Sequence, residues 1–392
     1  MSMPRIDALL RSQEGLTEIT RSSIEALQLR KLNALLAREK ARGGFYRELP
    51  ERLDSLDELQ SLPFTSEEDL AQNAAGLLLC SQSEISRVLS DATSGTTGAA
   101  KRVFYTEGDC ERTVQLFMAG LGELIFPGSV TMICFPFSGP FGLGELIAEA
   151  VTRLGARPLK LGIGLRYGEY RAVMETEKPD TFVGMPVQLL SLLRVCGRGS
   201  LRRALISGDA CPEAVIAGCE ELLGSRLFPH YGSREMALGG AITCPAHAGM
   251  HLRENHLIAE IVDEAGRPMP PGAWGELVIT TIGMEAMPLI RYRTGDYTRV
   301  LPGPCPCGSQ VLRLDAVRRR DGSAELAALD EALFSLPFVA DYRAERRDGR
   351  LHLEVLRCGE GELPPLDAEI SVRPAQGNDR ALVFGKRKVV TA

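Results

Sequence analysis

Val130-Thr-Met-Ile-Cys-Phe135, Pro158-Leu-Lys-Leu161, Thr181-Phe-Val-Gly-Met185 and Ala204-Leu-Ile-Ser207 are short apolar runs. Between and after them lie longer stretches with helical spacing, Gly142–Leu154, Tyr167–Glu177, Pro186–Cys196 and Pro212–Leu223. Runs of four to six apolar residues alternating with amphipathic helices predict a parallel sheet covered by helices, an α/β body. Upstream, Ser22–Ala41 carries Ile24, Leu27, Leu29, Leu32, Leu35 and Leu36 near helical spacing behind a serine cap, which predicts an amphipathic scaffold helix. Downstream of Gly239 the texture changes. His256–Val262, Gly275–Thr281 and Leu289–Tyr292 are strand-like and are broken by Glu264-Ala-Gly-Arg267 and Pro270-Pro-Gly272, which predicts a small β subdomain over about 240–315. The basic run Arg318-Arg-Arg-Asp-Gly322 is the best linker. After it come a helix over Ala324–Phe334 and strands over Val339–Glu345 and Leu351–Leu356.

The chain has 392 residues, so at about 150 residues per domain two or three folding units are expected. Apolar residues make up 44% and charged residues 24%, which is ordinary globular composition. A net charge of −6 gives no electrostatic reason to seek nucleic acid as a partner. The start Met1-Ser-Met-Pro-Arg-Ile-Asp7 lacks an apolar signal core, and no window reaches the roughly 18 uncharged apolar residues that span a bilayer. A soluble, cytoplasmic protein without a membrane partner is expected, and its 10 cysteines are then thiols or metal ligands rather than a disulfide framework.

Thr93-Ser94-Gly95-Thr96-Thr97-Gly98-Ala-Ala-Lys101 places two glycines, hydroxyl side chains and a lysine within nine positions. Backbone N–H groups can approach phosphate closely there while the lysine supplies charge, so the segment is a candidate phosphate cradle. Its order differs from a Walker A loop, because Lys101 lies three residues after Gly98.

This loop resembles the phosphate-binding motif of the adenylate-forming superfamily, which includes acyl-CoA synthetases, peptide-synthetase adenylation domains and luciferases. His230-Tyr231-Gly232-Ser233-Arg234-Glu235 and Tyr292-Arg-Thr-Gly-Asp296 are similar to two further motifs of that superfamily, in the same order. Cys244–Asp263, the run GELVITTIGMEAMPLIRYRTGD and the Cys305-Pro-Cys307-Gly turn look most like the phenylacetate-CoA ligase and coenzyme F390 synthetase branch. The resemblance implies a large multilayered N-terminal domain, 1–318, with mostly parallel sheets and the β subdomain, plus a small, shortened α+β C-terminal domain, 319–392, hinged near Arg320-Asp321. It implies an acid–thiol ligase that uses ATP and Mg2+ to make an acyl-adenylate from an aryl or small carboxylic acid, then hands the acyl group to CoA or to the pantetheine of an acyl carrier protein.

The chemistry asks for an acidic metal ligand beside the cradle, because magnesium and cations must neutralise the triphosphate during attack on the α-phosphorus. Glu235 is the candidate magnesium ligand, and with Lys101 and Lys386 it makes up the expected catalytic set. By resemblance, Tyr231 offers a flat face to adenine and Asp296 accepts the ribose hydroxyls; a packed strand end and a turn aspartate are the plain alternatives. Gly232, Ser233 and Arg320 complete the expected nucleotide contacts. Arg234 departs from the family's threonine. It either contacts phosphate or points away to a surface acid, and Ser233 is the hydroxyl left to replace the threonine. Phe384-Gly-Lys386-Arg-Lys-Val-Val resembles the superfamily's last motif, whose lysine after glycine bridges carboxylate and α-phosphate; a solvated basic tail is the alternative. Phe137, Phe141, Ser207, Gly208, Asp209 and Gly239 fall where the resemblance places the walls of an acyl pocket.

A second constellation is Cys244, His251, Cys305 and Cys307. Structural zinc takes four soft or borderline ligands in a tetrahedron, and a Cys-Pro-Cys-Gly turn can present two thiolates together. A closed Cys3His zinc site that staples the β subdomain is expected, with His247 and His256 as alternative ligands and unrelated core thiols as the alternative reading. Two rivals remain beside the thiol ligase. One is a non-catalytic nucleotide or acyl-thioester binding homologue, the other an acyl-adenylate donor to an amine or a protein.

Overall fold

The computed structural model describes residues 3, 5–91, 101–319, 323–383 and 385–391. The chain forms two compact units, Met1–Glu123 with His230–Val317, and Leu124–Pro229 with Arg318–Ala392.

In the second unit the four apolar runs are strands Val130–Cys134, Arg157–Lys160, Thr181–Gly184 and Arg203–Ile206. They pair in parallel in the order Arg157–Lys160, Val130–Cys134, Thr181–Gly184, Arg203–Ile206, and Ile206 is opposite Pro229 of the next strand, Phe228–Tyr231. Helices Leu143–Arg153, Tyr167–Glu177, Pro186–Cys196 and Glu213–Leu223 connect them, with Pro186 at the first turn of its helix, where its missing N–H costs nothing. The tail contributes helix Ser323–Phe334 and the hairpin Val339–Arg347 with Arg350–Arg357, flanked by parallel strands Glu369–Pro374 and Val390–Thr391. Phe182, Leu189, Leu193 and Val215 share one apolar cluster with Leu333, Phe334, Tyr342 and Val355. The tail expected as a domain of its own, 319–392, thus shares its core with the parallel-sheet body.

In the first unit the helix expected over Ser22–Ala41 runs Arg21–Arg42, and its cap is Thr20 rather than a serine. Thr20 accepts from the Ser23 N–H, and Ser23 returns the bond to the Thr20 N–H. Ser23 sits at the third helical position and closes a capping box, which a scan for the first serine misses. Strands Ile85–Asp91 and Lys101–Thr106, on either side of residues 92–100, pair antiparallel with Asp91 opposite Lys101. Ile258–Val262, Gly275–Thr280 and Tyr292–Thr298 form an antiparallel ladder. The strand expected at Leu289–Tyr292 begins only at its last residue. Leu289, Ile290 and Arg291 donate their N–H groups to the hydroxyls of Thr281, Tyr46 and Thr280 instead of to a strand, and Arg291 turns through φ 50°. Among the described residues no helix is long and apolar enough to cross a membrane.

Candidate active site and metal centre

Two of the three quoted motifs, and the lysine that closes the third, meet in the first unit. Lys101 opens its strand and its ammonium reaches the Glu235 carboxylate, the Tyr292 hydroxyl at 3.2 Å and the Glu67 carboxylate at 3.3 Å. Glu235 lies in the one-turn helix Arg234–Met236 and is 5% exposed. Burial opposes charge on both groups, yet each holds the other charged: the lysine sits above its ordinary value and the glutamate below. The buried Tyr105 donates to the Arg234 carbonyl at 2.7 Å and fixes this turn. Glu235 also acts on the phenols of Tyr105, Tyr231 and Tyr292, so the four side chains share one neighbourhood. The Arg234 guanidinium lies in the field of Arg87, which stands 5.9 Å from the centre of the Tyr105 ring.

Tyr231 ends its strand and donates to Asp296 Oδ2 at 2.7 Å. Burial, and then the Asp296 charge, raise the phenol well above its ordinary value, so it remains a donor. A carboxylate offers two oxygens side by side, each with two lone-pair sites, which is the acceptor geometry that a vicinal diol needs. The Asp296 N–H donates to Thr294 Oγ1 at 3.1 Å across Gly295, which takes φ 72° inside a strand, a conformation that glycine adopts without strain. Gly232 is required for a different reason, since a Cβ there would come within 2.3 Å of the Leu238 carbonyl oxygen. Arg293 pairs with Glu276, and Arg291 with Glu260, so the two arginines beside Tyr292 hold the ladder.

Thr93, Ser94, Gly95, Thr96, Thr97, Gly98 and Arg320 lie outside the described residues. In the second unit, Phe137 packs over Gly144, and Ser207, Gly208 and Asp209 follow strand Arg203–Ile206, at the carboxyl ends of parallel strands where α/β sheets bind ligands. Gly239 belongs to the first unit, where a Cβ would come within 2.5 Å of Leu116 Cδ2. Lys386 is exposed in the second unit, and its charge reaches the Asp209 carboxylate.

The ligand atoms of Cys244, His251, Cys305 and Cys307 all lie within 4.8 Å of one another. Cys244 and Cys305 sulfurs are 3.7 Å apart, and Cys307 Sγ is 3.4 Å from His251 Nε2. A zinc tetrahedron with bonds of about 2.3 Å to sulfur and about 2.1 Å to nitrogen has edges of roughly 3.8 and 3.6 Å. The four side chains therefore fit zinc. Burial and neighbouring sulfurs push the Cys244 thiol up to about 12, and burial, then Arg313, push His251 down to about 4, leaving it a neutral ligand. His251 stands opposite Arg313 in a strand pair, and the Arg313 guanidinium donates to the carbonyls of Ala248, Pro302, Gly303 and Pro304, tying both ligand-bearing loops together. His256 is instead buried among Arg253, Arg112 and Lys31, and neither it nor His247 belongs to the cluster.

The family model for AMP-binding enzymes matches residues 82–286, just over half of the chain. This chain belongs to the AMP-binding enzyme family. It is 29% identical over 327 residues to phenylacetate-coenzyme A ligase of Thermus thermophilus, covering 79% of this chain and 73% of that protein. It is 30% identical over 272 residues to the Pseudomonas putida enzyme of the same description, covering 65% and 60%. In fold it is similar to 2-hydroxyisobutyryl-CoA ligase solved in the postadenylation state with an acyl-AMP, with TM-score 0.76, 18% identity and coverage of 94% of this chain and 90% of that one. The expectation of an AMP-binding, adenylate-forming enzyme stands, and the curated relatives to which the chain is similar are phenylacetate-coenzyme A ligases.

Three side chains of this candidate site carry little mark in the sequence. Tyr292 stands in the sequence only as the first residue of its motif, yet its hydroxyl accepts from Lys101. Glu67 follows the Ser66 cap of helix Glu67–Asn73, and nothing local marks it as a partner of a lysine 34 positions away. Tyr105 alternates with outward residues as any strand tyrosine does. An aromatic directly before an Arg-Thr-Gly-Asp turn was the one usable sign.

Proposed function

We propose that the chain activates a carboxylic acid with ATP and passes the acyl group to CoA. A carboxylate oxygen bonds to the α-phosphorus, the bond to pyrophosphate breaks, and the acyl-adenylate then meets the CoA thiol, whose sulfur bonds to the carbonyl carbon as AMP leaves and the thiol proton goes to solvent. Dividing the reaction turns a poor leaving oxygen into AMP. The observation that carries this reading is the meeting of Lys101, Glu235, Tyr292 and the Tyr231–Asp296 pair around one buried carboxylate.

In that site Asp296 takes the ribose hydroxyls, Tyr231 borders the base, and Lys101 exchanges Glu235 for phosphate oxygens. Glu235, already matched to a cation, is the residue that would hold magnesium, whose charge would offset the triphosphate. Lys386 neutralises the charge that develops between carboxylate and α-phosphate. Phe137, Phe141 and Ser207–Asp209 shape the acyl pocket, and the names of the relatives favour an arylacetic acid; an acyl carrier protein is the second acceptor to examine. The Cys3His cluster would hold a structural zinc, because four protein ligands close its coordination and leave no position for substrate. Carboxylate-dependent ATP–pyrophosphate exchange over aryl and aliphatic acids, followed by CoA addition, tests the proposal. Folded protein that exchanges with no acid overturns it.

A further inference from the structure

Gly385-Lys-Arg-Lys388 is a basic run in sequence, but its three cations are placed differently. Lys386 and Lys388 are exposed, whereas Arg387 is 8% exposed. The Arg387 guanidinium lies 3.0 Å from Asp330 Oδ1 and 3.3 Å from Asp341 Oδ1, and it donates to the Tyr342 carbonyl at 3.1 Å. It also stands 4.3 Å from the centre of the Tyr342 ring and 5.0 Å from that of Phe334. The acids are themselves fixed. Asp330 accepts from the Tyr342 hydroxyl at 2.5 Å, and Asp341 accepts from the N–H groups of Tyr342 at 2.8 Å and Leu382 at 2.6 Å. A solvated tail has no use for such a socket, since a guanidinium gives up its hydration there and keeps its charge only because carboxylates and ring faces replace the water.

The main chain adds a second attachment. The Arg387 N–H donates to Asp209 Oδ2 at 2.8 Å, and Asp209 Oδ1 accepts from the Ala210 N–H at 2.9 Å. On the other side of Lys386 the chain turns at Gly385 through φ 95°, a conformation that glycine adopts without strain. Lys386 is thus held between a glycine turn and a residue fixed by both its side chain and its backbone.

We propose that Arg387 is a positioning residue for Lys386: its buried side chain and its N–H on Asp209 form a two-point clamp that holds the lysine at the carboxyl end of strand Arg203–Ile206. The proposal rests on the reading of Lys386 as the adenylation lysine. A misplacement of about 1 Å costs on the order of a hundredfold in rate, so loosening the clamp should act on turnover and not on nucleotide affinity.

The test is ATP–pyrophosphate exchange with full-length wild type, Lys386→Ala, Arg387→Ala, Arg387→Lys and Asp209→Ala. Arg387→Ala should lose roughly ten- to a hundredfold in kcat with KM for ATP unchanged, and Arg387→Lys should recover part of it. Equal change in kcat and KM, or a folded Arg387→Ala with wild-type kcat, overturns the clamp. If Arg387→Ala does not fold, Asp209→Ala decides with the KM for the acid read beside it, because it keeps the socket and removes the main-chain acceptor together with a pocket carboxylate: lower kcat at unchanged KM for both ATP and the acid supports the clamp, and wild-type kcat, or a loss carried by the KM for the acid, overturns it. Lys386→Ala is a separate arm. Wild-type exchange there defeats the assignment of Lys386 and the clamp with it, whereas lost exchange there beside an active Arg387→Ala defeats the clamp alone.

Discussion

Replacing Lys101 by methionine should cost far more stability than replacing its partner Glu235 by glutamine. Glu235 is 5% exposed and held below the usual carboxylate range by Lys101, so Lys101→Met leaves a buried carboxylate without its cation, a loss of about 3–5 kcal/mol. Glu235→Gln leaves Lys101 with the Tyr292 hydroxyl at 3.2 Å and the exposed Glu67 carboxylate at 3.3 Å, so about 1–2 kcal/mol is expected. The double variant removes both charges, and the cycle should show a coupling of about 2 kcal/mol. Urea unfolding of the ligand-free variants at neutral pH measures all three. The pH dependence gives an independent sign. In the wild type the carboxyl is depressed in the folded state, so its contribution is complete above the ordinary carboxylate value and is lost as pH falls through the lower folded value. In Lys101→Met the buried carboxyl is raised instead, and the deficit should narrow as pH falls. A Lys101→Met protein within about 1 kcal/mol of wild type, or strictly additive losses, would refute the buried-pair account.

The remaining outcomes are more local. Protein purified without chelator should carry about one zinc per chain, and Cys305→Ser should abolish it and lower the melting temperature; metal analysis beside thermal unfolding reads both. Glu39 is 1% exposed, and burial raises its carboxyl to about 7 against the pull of Arg42 and Arg38. A raised acid binds its proton more tightly when folded, so stability should fall as pH rises from the ordinary carboxylate value through about 7, and Glu39→Gln should remove about 2.5 kcal/mol of that fall between pH 5 and 8 in urea titrations. Gly232→Ala should yield little folded protein on expression, because its Cβ would meet main-chain oxygen rather than a side chain that can move.

The parts of this chain that sequence disclosed are those whose cause is local. Val130–Cys134 and Thr181–Gly184 announce themselves because strands buried in a parallel sheet need continuous apolar residues. The Cys-Pro-Cys-Gly turn does so because two thiols so close have few structural uses. The hidden parts depend on contacts across long separations. Arg387 is indistinguishable from Lys386 and Lys388 until Asp330 and Asp341 are seen around it. Leu289 and Ile290 look like strand residues because their apolar character is right, and only the hydroxyls of Thr281 and Tyr46 show that their N–H groups go elsewhere. Helix Arg5–Glu14 has no local signature, since its burial of Ile6, Leu9 and Leu10 uses partners far along the chain, Leu116 and Ile242 among them.

The first unit is assembled from two stretches, and about 190 residues separate the end of one, Glu123, from the end of the other, Val317. At a synthesis rate of about 5–20 residues per second, the early stretch waits about 10–40 s on the ribosome for its complement. During that interval Ile6, Leu9 and Leu10 are exposed without Ile242 and Val311, and a nascent-chain chaperone has a defined hydrophobic target near the amino terminus. A circular permutant that begins at His230 and joins residue 392 to residue 1 would synthesise Ile242 and Val311 before Ile6, Leu9 and Leu10, and should raise the soluble yield in cells lacking such chaperones.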